Sequence, residues 1–315
     1  MERSLWLRAT ILMCYIKVRN KDYSDIYNHT LATILVEYAS AVYMSDLTEL
    51  FTWTCSRCKD KTEGFEIIEL IVDVQNCLQA FVGIAENLNS IVIAFRGTQE
   101  HSIQNWIEDL FWKQLDLNYP DVSDAMVHHG FYSAYHNTTL RPGILTAVQR
   151  AKKIYGNIGI MVTGHSMGGA MASFCALDLA VNLGEVNVQL MTFGQPRIGN
   201  SVFVSYFKRH VPKAVRVWLY NIGFGSLVYR VEKICDGSGE DPSCSRSVPG
   251  TSIADHLMYF GVELEAATWA SCGIVMNPGT VGFRADTDGN LVFSRDPAAA
   301  LRQYRSAPAG SAATA

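Results

Sequence analysis

Ile160-Met-Val-Thr-Gly164-His165-Ser166-Met167-Gly168-Gly169-Ala170 decides how the chain is read. The β-branched run before Gly164 is a short buried strand. The small residues after Ser166 open a helix that can pack close to a sheet. Between them stands G-x-S-x-G, a turn sharp enough that side chains at its glycines would collide with neighbouring backbone. Such a turn holds a serine hydroxyl out at the carboxyl end of the strand, above a helix N-terminus. The Met167 amide then points to where an oxyanion develops. Glycine makes up 24 of 315 residues, so a bare G-x-S-x-G arises by chance in roughly one chain in ten. The strand before it and the helix after it lift the motif above chance and make Ser166 the candidate nucleophile.

Outward from this turn, strands and helices alternate. Ile67–Val74, Cys77–Ala85 and Ser90–Phe95 read as consecutive strands. Arg141–Tyr155 has helical periodicity, Ile158–Thr163 is a strand and Gly168–Asn182 a helix. Val186–Phe193, Asn200–His210 and Ala214–Tyr220 continue as strand, helix and strand. This order predicts an α/β fold, a mostly parallel central sheet with helices on both faces.

Composition narrows the function classes. Lys plus Arg is 26 and Asp plus Glu 30, a net charge of −4, which excludes a basic nucleic-acid binder. A hydrophobic content of 49% excludes a mostly disordered chain. The uninterrupted apolar runs are far shorter than the ~18 residues a membrane span needs. Residues 1–20 read as a degenerate or shortened signal-peptide-like segment: Arg8 interrupts the apolar stretch and no A-x-A-like cleavage site follows. Residues 21–285 read as the folded domain and 286–315 as a disordered tail. Cys55-Ser-Arg-Cys58 has the spacing of a zinc half-site or a redox pair, but no second CxxC or nearby His pair accompanies it. Cys235 and Cys244 flank a polar loop that a disulfide could close. With the sequons at Asn28 and Asn137, these features lean towards secretion or an endomembrane lumen.

Gly164-His-Ser-Met-Gly-Gly-Ala170 resembles the nucleophile elbow of the class 3, fungal-type lipases, and most of all their plant-like members. Further segments are similar to that family's in the same order. They are Ile91-Val-Ile-Ala-Phe-Arg-Gly-Thr98, Ile103-Gln-Asn-Trp106-Ile-Glu-Asp-Leu110, Val127-His-His-Gly-Phe131, Thr192-Phe-Gly-Gln-Pro-Arg-Ile-Gly-Asn200 and Ser252-Ile-Ala-Asp-His256. The resemblance runs from about Asp22 to Met276. It implies an α/β-hydrolase fold, a Ser-His-Asp triad and apolar acyl esters as substrates. Ser166 would be the nucleophile and His256 the base, with the Thr98 and Met167 amides as the oxyanion hole. No metal or organic cofactor is implied, because a triad needs none.

Ile103, Trp106, Ile107 and Leu110 recur at helical spacing, with Ser102 as N-cap and polar residues opposite. Such a stripe usually faces a core. Beside the Thr98 loop it also reads as a lid that turns its apolar face to a lipid interface.

Chain order in hydrolases is Ser, acid, His. Only His210 and His256 follow Ser166, and His210 sits at a helix end where its charge suits the dipole. His256 is therefore the better base. The triad acid is unknown. In the resembled family it lies just after the strand corresponding to Ala214–Tyr220, yet no Asp or Glu occurs between Glu185 and Glu232. The simplest reading is an internal deletion at about Val217/Trp218. Glu232, Asp236, Glu240, Asp241 and Asp255 are weak substitutes. Two rivals to a lipid-ester hydrolase follow: an inactive lipid-binding or regulatory form, and a non-lipid esterase acting, for instance, on hydroxycinnamoyl esters.

Overall fold

The computed structural model describes residues 13–18, 26–97, 113–224, 227–235, 244, 253–265, 273–277, 282–286 and 289–295. Strands are β1 Met13–Val18, β2 Glu66–Asp73, β3 Leu78–Ala85, β4 Ser90–Phe95, β5 Gln114–Asp116, β6 Met126–His128 and β7 Gly159–His165. They continue with β8 Val188–Phe193, β9 Lys213–Phe224, β10 Leu227–Ile234, β11 Met258–Tyr259, β12 Val262–Glu263, β13 Phe283–Ala285 and β14 Leu291–Ser294. Helices are α1 His29–Ala41, α2 Leu47–Thr52, α3 His129–His136, α4 Leu140–Tyr155, α5 Met167–Asn182, α6 Ser201–His210 and α7 Ile253–Leu257.

Among the described residues the main sheet has the order β1-β10-β9-β8-β7-β4-β3-β2-β14-β13. Its centre, β4-β7-β8-β9, is parallel. The β2-β3-β4 meander extends it antiparallel on one side. Helices cover both faces, each over its own apolar layer. Phe131, Ile144, Val148 and Phe174 lie in one layer, and Leu35, Tyr38, Leu50 and Phe65 in the other. The α4 stripe Leu140, Ile144, Ala147, Val148 and Ala151 is the periodicity read from sequence, and all five are buried. Each larger side chain so buried contributes roughly 1.5–3 kcal/mol. Asp178 in α5 takes both a 2.7 Å and a 2.9 Å hydrogen bond from Arg141 of α4, and one of 2.9 Å from Tyr135 of α3. These bonds lock the three helices together. The free thiol of Cys175 is fully buried in α5.

β9 changes partner midway. Lys213–Val217 pair in parallel with Gln189–Phe193, and Val217–Phe224 pair antiparallel with β10. The backbone crosses Val217 and Trp218 as one continuous strand, with no loop there.

Two segments read from sequence as lying outside the folded domain carry strands. Leu291–Ser294, assigned to a disordered tail, is a sheet strand paired with β2. Alternation explains it: Leu291 and Phe293 are buried while Val292 and Ser294 are half-buried. Met13–Val18, assigned to the leader-like segment, pairs in parallel with β10 as an edge strand. Cys55 and Cys58 form a disulfide rather than a zinc half-site, and Cys235 pairs with Cys244 as the loop reading expects. Cys77 is also disulfide-bonded. Asn28 caps α1 by accepting from the Leu31 amide, and both sequon asparagines are exposed. No helix among the described residues is long and apolar enough to cross a membrane.

Candidate active site

Ser166 stands between β7 and α5 with φ 55° and ψ −125°. This backbone conformation costs on the order of 1–3 kcal/mol for a non-glycine residue. Its surroundings force it. The Ser166 amide donates to Phe193 O at 3.0 Å, and Ser166 O accepts from the Gly169 amide at 3.0 Å. A Cβ on Gly164 would meet the Gly168 carbonyl group at 2.5 Å, and one on Gly168 would meet Phe95 O at 2.3 Å. Both glycines are therefore needed for the helix to approach the sheet this closely. Met167 opens α5, so its amide belongs to the first turn, where N–H groups project from the helix end.

His256 lies in α7 and is brought to the same corner. A Cβ on Gly194, the residue after Phe193, would come within 2.9 Å of His256 Nδ1. The ring sits 4.6 Å from that of His165 and 6.0 Å from that of Trp218, centroid to centroid. Burial alone pushes its pKa down to about 4, so it is neutral at pH 7. No hydrogen bond joins Ser166 to His256 among the described residues, and Nε2 of His256 is buried without a partner.

What ties the corner together is His165. Gly97 donates its amide to Tyr43 Oη at 3.1 Å. Tyr43 Oη is 2.9 Å from His165 Nδ1, and His165 Nε2 is 2.8 Å from the His256 carbonyl oxygen. A carbonyl only accepts, so Nε2 carries the proton. Nδ1 then has only a lone pair, so Tyr43 donates to it. Burial, first, and the neighbouring His256 hold His165 well below the usual imidazole range, consistent with this neutral tautomer. Gln79 fixes the Tyr43 segment through the Val42 and Met44 carbonyls at 2.9 and 3.1 Å. It also accepts from Arg96 at 3.2 Å, which anchors the strand end leading to Gly97. Sequence reasoning gave none of His165, Tyr43, Gln79 and Trp218 a role in the site.

The remaining sequence candidates fall into two groups. Thr98 and the stripe Ile103, Trp106, Ile107 and Leu110 lie outside the described residues, as do Asp236, Glu240 and Asp241. Glu232 is fully buried on β10, where its carboxylate meets Tyr27 Oη and, at 3.3 Å, His29 Nδ1. Burial raises its pKa to about 7. His128 caps α3, accepting from the Phe131 amide at 3.4 Å.

Residues 92–221 match the family model described as Lipase (class 3). The lipase of Rhizomucor miehei is 35% identical over 240 residues, covering 69% of this chain and 64% of its own length. The lipase of Rhizopus niveus is 30% identical, covering 71% of this chain and 62% of its own. The chain thus spans less than two thirds of these relatives. Among solved structures, Rhizomucor miehei triacylglyceride lipase superposes with TM-score 0.62 at 29% identity, covering 80% of this chain and 98% of that one. A triacylglycerol lipase described as having a serine protease triad superposes with TM-score 0.60 at 31% identity, covering 76% and 97%.

Proposed function

This chain belongs to the class 3 lipase family, and on that premise we propose that it hydrolyses carboxylic esters of lipids through an acyl-enzyme on Ser166. The observation that carries the proposal is the strained Ser166 backbone at the N-terminus of α5, with His256 over the end of the adjacent strand. In the first half-reaction Ser166 Oγ attacks the ester carbonyl carbon and its proton passes to His256. The Met167 amide, with Thr98, takes the oxyanion. Collapse expels the alcohol, which takes the proton back from His256. Water repeats the sequence and releases the acid. The stripe around Trp106 serves as a lid that meets a lipid surface. The disulfides support a secreted or lumenal setting.

Turnover is low in this reading. Burial is the sole cause of the His256 shift, with no carboxylate acting on the ring among the described residues. Loss of the acid in serine proteases costs about 10⁴ in rate, about 5 kcal/mol of barrier. That same observation favours the second reading, a lipid-binding form without catalysis. A fluorophosphonate probe separates them. Labelling that is lost in Ser166→Ala supports the hydrolase, and equal labelling of both chains refutes it. Lipid binding with no labelling at any pH leaves the binding form.

A further inference from the structure

Three buried polar atoms lack a hydrogen-bond partner at one corner of the described structure: His256 Nε2, Tyr259 Oη and Trp218 Nε1. They come from separate segments, α7, β11 and β9, whose rings lie close together. The Trp218 and His256 ring centroids are 6.0 Å apart. Tyr259 Oη and His256 Nδ1 lie 2.8 and 2.9 Å from the point where a Cβ on Gly194 would stand. Gly194 donates its amide at 3.0 Å to the carbonyl of Val217, the residue before Trp218. The corner therefore lies at the carboxyl ends of β8 and of the parallel part of β9. Ligands of open α/β sheets bind at that end.

Each of these groups has a proton to give. An indole nitrogen only donates, a phenol has one proton, and a neutral imidazole has one N–H. The Leu219 amide near Tyr259 Oη is itself a donor and cannot accept that proton. Buried donors without acceptors are rare in native proteins and ask for an explanation. Water has two lone pairs for three donors, and two protons of its own to place. A carboxylate has about four acceptor sites and none to place. A divalent oxyanion would also accept, at a far greater desolvation cost.

We propose that this corner binds a small monocarboxylate, of formate or acetate size, accepting from Tyr259, Trp218 and His256. The bound anion then compensates the imidazolium that forms when His256 takes the Ser166 proton. Binding stands on the three donors alone. The compensating role rests on the Ser166–His256 reading above. Asp255, next to His256 in the chain and acting on Tyr259, is an acidic group that opposes the anion, so weak affinity is expected.

The test uses the full chain with ¹⁵N-labelled tryptophan, the Trp218 indole resonance being assigned by its loss in Trp218→Phe. Formate is titrated at constant ionic strength against chloride. The expected result is a saturable shift of the Trp218 indole proton with formate and not with chloride. Tyr259→Phe should weaken binding about tenfold or more, as expected when a hydrogen bond to a charged acceptor is lost. Fluorophosphonate labelling, in which Ser166 Oγ displaces fluoride from phosphorus and its proton passes to His256, should accelerate at least tenfold over the same range. Octanoate is the size control for a site of formate or acetate size and should do neither. A flat titration, the same shift with chloride, or unchanged affinity in Tyr259→Phe overturns the site. Formate that binds without accelerating a reactive Ser166 overturns the compensating role. Ser166 labelling without formate, compared with Ser166→Ala, judges the nucleophile separately.

Discussion

Tyr43→Phe removes one oxygen and disconnects two ends of the candidate site. In the native chain that oxygen accepts from the Gly97 amide at 3.1 Å and donates to His165 Nδ1 at 2.9 Å. Tyr43 is 1% exposed and His165 fully buried, so water does not reach in to replace it. The substitution therefore strands one buried donor and one buried acceptor. At about 1–3 kcal/mol each, the loss is about 2–6 kcal/mol. At about 2–4 °C per kcal/mol for a domain of this size, Tm should fall by roughly 5–20 °C. Urea unfolding followed by tryptophan fluorescence measures the free energy directly. His165→Phe strands the Tyr43 proton and the His256 carbonyl instead, so the two substitutions share one interaction. The double variant should be less destabilised than the sum of the singles, by about 0.5–3 kcal/mol. A Tyr43→Phe loss below about 0.5 kcal/mol, or strict additivity, would refute the tautomer and the chain of bonds drawn from it.

Three further outcomes are expected. Ser166→Gly relieves the φ of 55° and should raise stability by about 1 kcal/mol in urea while abolishing probe labelling; destabilisation would mean that the turn is unstrained. His256 and His136 both have pKa values lowered by burial from 6.5 to about 4. Between those values the unfolded chain binds the protons and the native one does not. Stability is therefore retained above about pH 6.5 and lost as pH falls towards 4, by at most roughly 3 kcal/mol per histidine. Urea midpoints that stay flat over this window would contradict the burial argument. Trp218→Asp places a carboxylate on β9 beside His256 and should raise Ser166 labelling at least tenfold; no gain would show that position 218 cannot serve the imidazole.

The elbow was legible because its signal is local: glycines and alanines where backbone meets backbone, after a β-branched run. The α4 stripe and the β2–β4 strands were legible for the same reason. The 3.6-residue period of α4 and the unbroken apolar runs of β2–β4 are both written in consecutive residues. β10 was not foreseen, although its partner β9 was in part. β14 escaped because four residues are too few for a period, and only pairing with β2 defines it. The Tyr43–His165 bond spans 122 positions and leaves no mark in either neighbourhood. His256 was found by elimination along the chain. The neighbours that now define its environment, Gly194, Trp218 and Tyr259, are set by tertiary packing.

Cys175 offers a clock. Its thiol is fully buried in the helix that begins at the nucleophile, and burial pushes its pKa far above that of a free thiol. A maleimide or disulfide reagent cannot react with it while α5 stays seated against β4, β7 and β8. Each modification event therefore counts one excursion in which that helix leaves the sheet. The rate of modification, followed over hours in native buffer, reads how often the scaffold beneath Ser166 comes apart.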